Sequence, residues 1–436
     1  MRKRIIFLSI ACLLLIPLIF TACVGGGEQK SIIKIGVIGP MQFVEGNHHW
    51  YGATMARDEI NAAGGVKING TKYQIQLIKA DSNEIQSPTD AVAAMERLIT
   101  IDKADFVVGG FRTEGVLPMQ DVAADYKKIF LGCGAATNDL CTRVKDDYDR
   151  YKYWFRVTPF SNVNLVNNSL LTLGTAGAIM KQGLGIEGNI KVAILAEQAT
   201  WADVMVSAYE GYVPAKLGME VVGTWRLSTT ATDVTAELTA IQRSGAHIIL
   251  TIISGPVGIP FARQLGELQI PVASVGINVE SQKDSFWDLT QKFGNYETTL
   301  NTYAKGVSIT QYTVPFFSNF VKKFGMSPTY TAGTYDAIYI LKEAIERAGT
   351  FTDSDAVVAE LEKTDYRGTS GRVVFMGKNT ETPHDVTYGP GYVTGIATQW
   401  QNGEMKCIWP YNWEGITYSG TVQWQIPDRV IKKYKE

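Results

Sequence analysis

The feature that most constrains the fold is a repeated alternation of short, β-branched apolar runs with segments of helical apolar spacing. After the first run, Ala53, Ala56 and Ile60 fall on one helix face. Buried strands that alternate with amphipathic helices are typical of parallel sheets covered on both faces. The sequence therefore predicts an α/β fold. The predicted strands are IIKIGVIGP, KYQIQLIKA, ADFVVGG and KKIFLGCG in one series, and NIKVAIL, MEVVGTWRL, HIILTII and PVASVGI in a second series.

Two series of strands, in a chain too long for one ordinary core, indicate two lobes. Turn signals divide the elements. Asn69-Gly70 and Asn402-Gly403 predict β-hairpins, since both pairs suit the left-handed turn positions. Ser87-Pro88 predicts a helix start with proline in the first turn.

The N-terminus has the pattern of an export signal. Residues 2–4 are basic, residues 5–20 are a short apolar run, and small residues precede Cys23. We expect residues 1–22 to be removed and Cys23 to be lipidated, with residues 23–31 as a linker; the alternative is ordinary cleavage with Cys23 incidental. Removal of the leader changes the formal net charge from −2 to −5, which does not favour nucleic-acid binding.

Three further cysteines, Cys133, Cys141 and Cys407, remain in the mature chain. In an oxidising compartment Cys133 and Cys141 could pair, which would leave Cys407 single. The alternative is three buried thiols, because spacing alone establishes no disulfide.

No motif of enzymatic or cofactor chemistry is evident. GLGIEG at residues 183–188 precedes a strand and opens no helix, so it does not fit a dinucleotide site. His48 and His49 are predicted to lie with Trp50 on a loop, and the other histidines are His247 and His384. Four ligands for one metal are hard to assemble from this set. We therefore expect no metal, no cofactor and no enzyme.

Polar residues follow two of the predicted strands. Thr113 and Glu114 come after ADFVVGG, and Ala135 and Thr137 come after KKIFLGCG. Ligands of open α/β sheets bind beyond the carboxyl ends of the strands, against helix N-termini. These hydroxyls could orient a carboxylate or amide, although they could also merely cap helices.

Taken together, the stretches GVIGPM, GATMARDEINAAGGV, VVGG…T…P, TYDAIYILKEAIERAG and a late hairpin ending in WP extend over nearly all of the mature chain. In this order they resemble the substrate-binding lipoproteins of ABC importers, in the branched-chain amino-acid and amide group. The resemblance implies two doubly wound lobes of the periplasmic binding protein type I fold, joined by three crossovers, with a ligand cleft between them. We expect residues 32–157 plus about 285–390 in one lobe, and 158–284 plus about 391–436 in the other.

The resemblance also implies partners and a location. We expect a monomer anchored by lipid at the outer face of the cytoplasmic membrane or in the periplasm, which binds a small molecule and docks on an ABC permease. A sensor that passes ligand closure to a signalling partner is the alternative, and an exported hydrolase is a weaker one.

Site residues follow from the same resemblance. The carboxylate-binding hydroxyl of the family corresponds to Thr113, and its next ligand loop to Ala135 and Thr137. Second-lobe and late positions correspond to Trp201, Ser254, Gly255 and Tyr330.

One position departs from the family. Amino-acid binders carry an acid where this chain has Asn278, and Glu280 could substitute for it. An α-amino ligand is therefore open to question. Trp50 and Trp201 could close from opposite lobes on a flat or cationic ligand, or could only exclude water.

Overall fold

The computed structural model describes residues 31–435, so the predicted leader and Cys23 lie outside the described residues. Strands and helices alternate along nearly all of this length. In chain order the elements are β1 (Ile32–Gly39), α1 (Val44–Ala62), β2 (Val66–Ile68), β3 (Thr71–Asp81), α2 (Pro88–Thr100), β4 (Phe106–Gly109), α3 (Thr113–Asp125), β5 (Phe130–Gly132), α4 (Asp139–Asp146), α5 (Tyr148–Tyr151), β6 (Trp154–Arg156), α6 (Asn162–Leu184), β7 (Lys191–Glu197), α7 (Thr200–Leu217), β8 (Glu220–Leu227), α8 (Thr235–Arg243), β9 (Ile248–Ile253), α9 (Gly258–Glu267), β10 (Ala273–Asn278), α10 (Phe286–Leu289), β11 (Thr298–Asn301), α11 (Thr313–Phe324), α12 (Thr334–Ala348), α13 (Ser354–Leu361), β12 (Asp365–Arg367), β13 (Arg372–Val374), β14 (Ile396–Gln401), β15 (Glu404–Trp409) and α14 (Asp428–Lys435). Single 3₁₀ turns lie at Val279–Gln282 and Tyr330–Gly333.

The first sheet has the order β2-β3-β1-β4-β5-β6, and its strands are parallel except for β2. Helices α2 and α3 cover one face, where Met95 and Met119 pack on Val107. Helices α1 and α12 cover the other face, where Ala56 and Leu341 join the core around Ile35. The near-continuous apolar strands are explained by burial on both faces.

The second sheet has the order β15-β14-β11-β10-β9-β7-β8. Five neighbouring strands, β11, β10, β9, β7 and β8, are parallel, and β8 forms one edge of the sheet. At the other edge β14 and β15 form an antiparallel hairpin, and β14 pairs antiparallel with β11. Helices α8 and α9 cover one face through Leu238 and Phe261, while α6 and α7 cover the opposite face through Leu173 and Met205. Two doubly wound lobes, as predicted, are therefore present.

The chain passes from the first sheet to the second after β6. One strand differs from the prediction, because Thr298–Asn301 pairs within the second sheet, whereas residues from about 285 were assigned to the first lobe. We propose that the second crossover follows Asn301 and that α11, α12 and α13 return to the first lobe. The strand was missed because its sequence, TTLN, contains a single large apolar residue.

The predicted hairpins are confirmed. Asn69 and Gly70 have positive φ angles of 48° and 85° between β2 and the antiparallel β3, and Asn402 and Gly403 have 53° and 86° between β14 and β15. Pro88 lies in the first turn of α2 as predicted.

The predicted loop at His48, His49 and Trp50 is wrong, because all three residues lie in α1, which begins at Val44. The reason is that both histidines make hydrogen-bond contacts with distant parts of the chain. Nδ1 of His48 accepts a hydrogen bond from the amide of Thr329 at 3.0 Å, and Nε2 of His49 lies 3.0 Å from the carbonyl oxygen of Cys133. These partners lie far away in sequence and hold the extra helical turn against the body of the lobe.

Cys133, Cys141 and Cys407 are buried and unpaired in the described structure, so the alternative of three buried thiols is the one observed. Burial raises the pKa of Cys141 to about 12 and that of Cys407 to about 11, which keeps both as thiols.

Within residues 31–435, no helix combines the length and the apolar character that crossing a bilayer requires.

Candidate functional site

A cavity lies between the carboxyl ends of the two sheets, where the strand order of each sheet reverses. The empty space within it is about 670 Å³, part of it open to solvent. Its walls come from both lobes. They are formed by Phe111, Arg112, Thr113, Gly134, Ala136, Pro159, Phe160, Leu165, Trp201, Ser254, Ile277, Val279, Gln282, Leu300, Asn301, Thr302 and Tyr330.

The first-lobe wall is the turn between β4 and α3. Glu84 fixes this turn, because its carboxylate accepts hydrogen bonds from the amide of Phe111 at 3.1 Å and from that of Arg112 at 2.7 Å. Burial raises the pKa of Glu84 to about 7, although these amides and Ser82 oppose the rise. The turn directs Arg112 and Thr113 to the cavity at the start of α3.

The second-lobe wall is organised by Glu197, the last residue of β7, which is fully buried. Its Oε1 accepts hydrogen bonds from Nε1 of Trp201 at 2.7 Å and from the hydroxyl of Ser254. Its Oε2 accepts one from the amide of Gly255 at 2.8 Å. Glu197 therefore sets the positions of Trp201 and Ser254, which both line the cavity.

The two walls meet at Arg112. Its Nη2 donates to Oε1 of Glu197 and to the hydroxyl of Ser254, each at 3.1 Å. The pair is buried, with side-chain exposures of 9% and 0%. Since Arg112 belongs to the first lobe and Glu197 to the second, this ion pair crosses the cleft.

Three buried polar atoms of the cavity walls have no hydrogen-bond partner in the described structure: Nε of Arg112, Oγ1 of Thr113 and Oε1 of Gln282. Buried polar groups are normally satisfied by protein, water or a ligand. Burial raises the pKa of Tyr330 well above its ordinary value, so its phenol stays protonated at the cavity wall. The two unpartnered atoms of Arg112 and Thr113 are donors on the first-lobe wall, and Oε1 of Gln282 is an acceptor on the second-lobe wall.

Of the ten predicted site residues, Thr113, Trp201, Ser254 and Tyr330 line the cavity. Thr113 is the first residue of α3, and its hydroxyl makes no capping bond because it has no hydrogen-bond partner in the described structure. Its hydroxyl is therefore available to a ligand.

Ala135 and Thr137 do not line the cavity, although Gly134 and Ala136 of the same loop do. The carbonyl oxygens of Ala135 and Thr137 accept hydrogen bonds from the buried Arg156 of β6. The hydroxyl of Thr137 accepts a bond from the amide of Asp139, at the start of α4, at 3.3 Å. For Thr137 the structure thus favours the capping alternative.

Asn278 and Glu280 also lie outside the cavity lining. The side-chain nitrogen Nδ2 of Asn278 donates to Oε1 of the buried Glu297 at 2.9 Å, so the side chain of Asn278 is directed toward the core. Glu280 accepts a hydrogen bond from Nζ of Lys283 at 2.6 Å, and the same ammonium lies 3.3 Å from Glu45 of α1. Glu280 is therefore already engaged in an ion pair.

Gly255 and Trp50 complete the set. The backbone amide of Gly255 donates a hydrogen bond to Glu197, and Gly255 itself does not line the cavity. Trp50 lies in α1, with Nζ of Lys79 at 5.7 Å from its ring, so the structure does not bring Trp50 and Trp201 together at the cavity.

Comparisons with known proteins agree on the fold and the family. The sequence profile of the family described as periplasmic binding protein matches residues 32–389. An amino acid binding protein of Pseudomonas aeruginosa is 30% identical over 238 residues, 54% of this chain, and the chain spans only 57% of that relative. The Leu/Ile/Val-binding protein homolog 8 of Brucella melitensis is 22% identical over 408 residues, covering 90% of this chain and 93% of the relative.

Solved structures share the fold. The branched-chain amino acid substrate-binding protein LivJ of Streptococcus pneumoniae, in complex with isoleucine, superposes with a TM-score of 0.69 at 18% identity, over 86% of this chain and 98% of LivJ. A solute-binding protein of R. palustris, in complex with benzoate, has a TM-score of 0.69 at 16% identity, over 87% of this chain and 96% of that protein.

Proposed function

Because this chain belongs to the periplasmic binding protein family, in the type I group of branched-chain amino-acid type, we propose that it is the extracytoplasmic solute-binding protein of an ABC importer. It captures a small polar solute, an amino acid, an amide or a related acid, when its two lobes close. It then delivers this solute to a permease in the membrane.

The observation that carries this proposal is a cavity with both apolar and polar side chains, lined from both lobes and bridged by contacts between them. Besides Arg112 and Glu197, Glu45 of α1 pairs with Lys283 at 3.3 Å. The amide of Thr200, at the start of α7, donates to Glu114 at 2.7 Å. Such contacts favour a closed state, which a hinged solute-binding protein needs in order to retain its cargo.

We further propose Thr113, Trp201, Ser254 and Tyr330 as solute-binding residues, together with Arg112, which the sequence analysis did not select. Isoleucine and benzoate, held by the two structural neighbours, share a carboxylate. An arginine and a hydroxyl at a helix N-terminus suit that group.

The same proposal includes an anchor. Residues 1–22 act as the export signal, Cys23 carries the lipid, and residues 23–31 hold the two lobes away from the membrane. The change Cys23→Ser should move the protein from the membrane fraction to the soluble extracytoplasmic fraction. Retention in the membrane would contradict the anchor but not the solute-binding function.

The function is tested by two linked measurements. Mass spectrometry of the gently purified protein should release a small molecule in stoichiometric amount and chemically unchanged, which would also argue against catalysis. Cells that lack the chain should then fail to accumulate that molecule in isotopically labelled form. Normal uptake in such cells would contradict the import role, and a released reaction product would favour a hydrolase.

A further inference from the structure

The charges that line the cavity constrain its ligand. Of the described residues in the lining, Arg112 alone carries a formal charge. One of its nitrogens is bound to Glu197 and Ser254, but its Nε has no partner. The hydroxyl of the next residue, Thr113, has none either. Two buried donors on successive residues at a helix N-terminus match the two oxygens of a carboxylate.

The carboxylate of Glu197 is fully buried, is paired with Arg112 and does not line the cavity, so it is not presented to a ligand ammonium. Its Oε1 accepts hydrogen bonds from Arg112, Trp201 and Ser254, and its Oε2 accepts one from Gly255. Glu197 therefore acts as a positioning residue for the cavity wall.

Three other acids lie near the cavity walls, and none of them lines the cavity. Glu280 and Glu45 share the ammonium of Lys283. Oε1 of Glu114 accepts a hydrogen bond from the amide of Thr200, while its Oε2 has no partner in the described structure. An α-ammonium group inside the cavity would therefore be desolvated without an opposing carboxylate. Such burial is costly for an ionised group.

The second-lobe wall of the cavity carries a neutral acceptor, on the 3₁₀ turn that follows β10. Nε2 of Gln282 donates to the carbonyl oxygen of Leu300 at 2.9 Å, which fixes the orientation of the amide. Its Oε1 is left without a partner, so it can accept a hydrogen bond from a hydroxyl. Most of the remaining lining residues are apolar, with Phe160 and Ile277 among them, and Asn301 and Thr302 add neutral polar groups.

We propose that this cavity selects a carboxylic acid that has an apolar body and no α-ammonium group. The carboxylate binds Nε of Arg112 and Oγ1 of Thr113, and a hydroxyl on the body, where present, donates to Gln282. The inference rests on the proposed solute-binding function and narrows its ligand class.

The test compares acids that differ only in the amino group. Protein stripped of bound solute by denaturation and refolding is titrated calorimetrically with leucine against isocaproate, and with phenylalanine against hydrocinnamate. Benzoate, leucinamide and choline complete the panel. In at least one pair, the acid without the amino group should bind about 100-fold or more tightly than its amino acid, given the cost of an uncompensated ammonium.

A second arm tests the neutral acceptor. The panel is extended with leucate, phenyllactate and para-hydroxybenzoate, each of which adds a hydroxyl to an acid already present. At least one should bind about 5-fold or more tightly than its parent acid. This advantage should disappear in Gln282→Met and persist in the control Gln401→Met, which alters a glutamine outside the cavity lining. A hydroxyl advantage that is absent, or that survives in Gln282→Met, overturns the role of Gln282.

The outcomes separate the ligand class from the function. Leucine or phenylalanine binding as tightly as its deaminated partner overturns the ligand class while the solute-binding function stands. Binding of leucinamide or choline alone also overturns the ligand class. Failure of every compound, in a protein that releases no small molecule on denaturation, overturns both.

Discussion

Nη2 of Arg112 lies 3.1 Å from Oε1 of Glu197, and the two side chains belong to different lobes. Arg112 follows β4 of the first sheet and Glu197 ends β7 of the second. A buried ion pair repays its desolvation only when the remaining donors and acceptors are satisfied. Here Nε of Arg112 makes no hydrogen bond within the described protein, so it can donate to a ligand in the cavity.

We therefore expect Glu197→Gln to weaken solute binding by about 10-fold or more, since it removes the charge that pairs with Arg112 across the cleft. The loss should appear mainly as faster dissociation. Stopped-flow fluorescence of Trp201 can measure it, with the solute that the protein releases on purification.

The matched control is Glu360→Gln, which alters an ion pair between Glu360 and Arg347 within one lobe, at 3.2 Å. This variant should bind as the wild type does. Equal loss in the two variants would mean that the cross-cleft pair has no particular part in retention.

Thr113→Val should reduce the binding free energy by about 1–3 kcal/mol, because a hydroxyl that meets a charged oxygen is removed. The free energy of unfolding without ligand should change by less than about 0.5 kcal/mol, since this hydroxyl has no partner in the protein. Calorimetry and urea denaturation measure the two quantities.

Thr137→Val provides the comparison, because the hydroxyl of Thr137 serves Asp139 at the start of α4 and lies outside the cavity lining. It should lower stability slightly and leave binding unchanged. Weaker binding in Thr137→Val, together with unchanged binding in Thr113→Val, would return Thr137 to the solute site and reject the site proposed at Thr113.

Lys283→Met should destabilise the closed state far more than Glu280→Gln does. Burial lowers the pKa of Lys283, but Glu45 and Glu280 beside it outweigh this and raise the pKa overall. Removal of the lysine leaves two carboxylates facing each other, at a cost of about 3–5 kcal/mol. Glu280→Gln keeps one carboxylate for the ammonium, so its cost should stay below about 2 kcal/mol.

Urea denaturation of both variants with saturating solute checks this order. Equal costs would show that Glu45 contributes nothing to the cluster. Glu280→Gln that selectively abolishes amino-acid binding would identify Glu280 as an ammonium site and contradict the ligand class inferred above.

Acid should destabilise the protein in part through His48. Burial, with smaller effects of Lys283 and His49, lowers its pKa to about 3. Because the folded pKa lies below the unfolded value, the unfolded state binds more protons between about pH 3 and pH 6.5, and stability is lost as pH falls through that window. The slope from this one group approaches about 1.4 kcal/mol per pH unit.

Burial raises the pKa of Glu84 and of Glu297 to about 7, and these groups act in the opposite direction. The comparison with His48→Asn isolates the histidine, because asparagine keeps an acceptor for the amide of Thr329. Urea denaturation between about pH 4 and pH 6 should show a smaller acid loss in the variant. Parallel curves for the two proteins would contradict the prediction.

The fold was predictable wherever local sequence and burial agree. Apolar runs gave the central strands, and the two Asn-Gly pairs gave the hairpins, because their φ angles are a local property. Thr298–Asn301 and the first turns of α1 escaped prediction, since pairing with β14 and contacts of His48 with Thr329 determine them. Neither partner is near in sequence.

The site was predictable only in part for the same reason. The strand-end rule selected Thr113 and the family resemblance selected Ser254, and both line the cavity. Arg112 was one residue away and was passed over, although a cation directly after a buried strand was a usable signal. Glu197 could have been selected as an acid that ends an apolar strand four residues before Trp201. The sequence could not show that Ala135 and Thr137 lie outside the cavity lining. Their carbonyl oxygens bind Arg156, which belongs to another strand.

A crystal structure of the protein purified with its own solute tests the central claim most directly. We expect electron density between the lobes for a carboxylic acid, with one oxygen about 3 Å from Nε of Arg112 and another about 3 Å from Oγ1 of Thr113. Its body should lie on the apolar wall, and no ammonium should be present. A solute bound elsewhere, or one whose ammonium pairs with Glu280 while Nε of Arg112 makes no contact with it, would contradict the account.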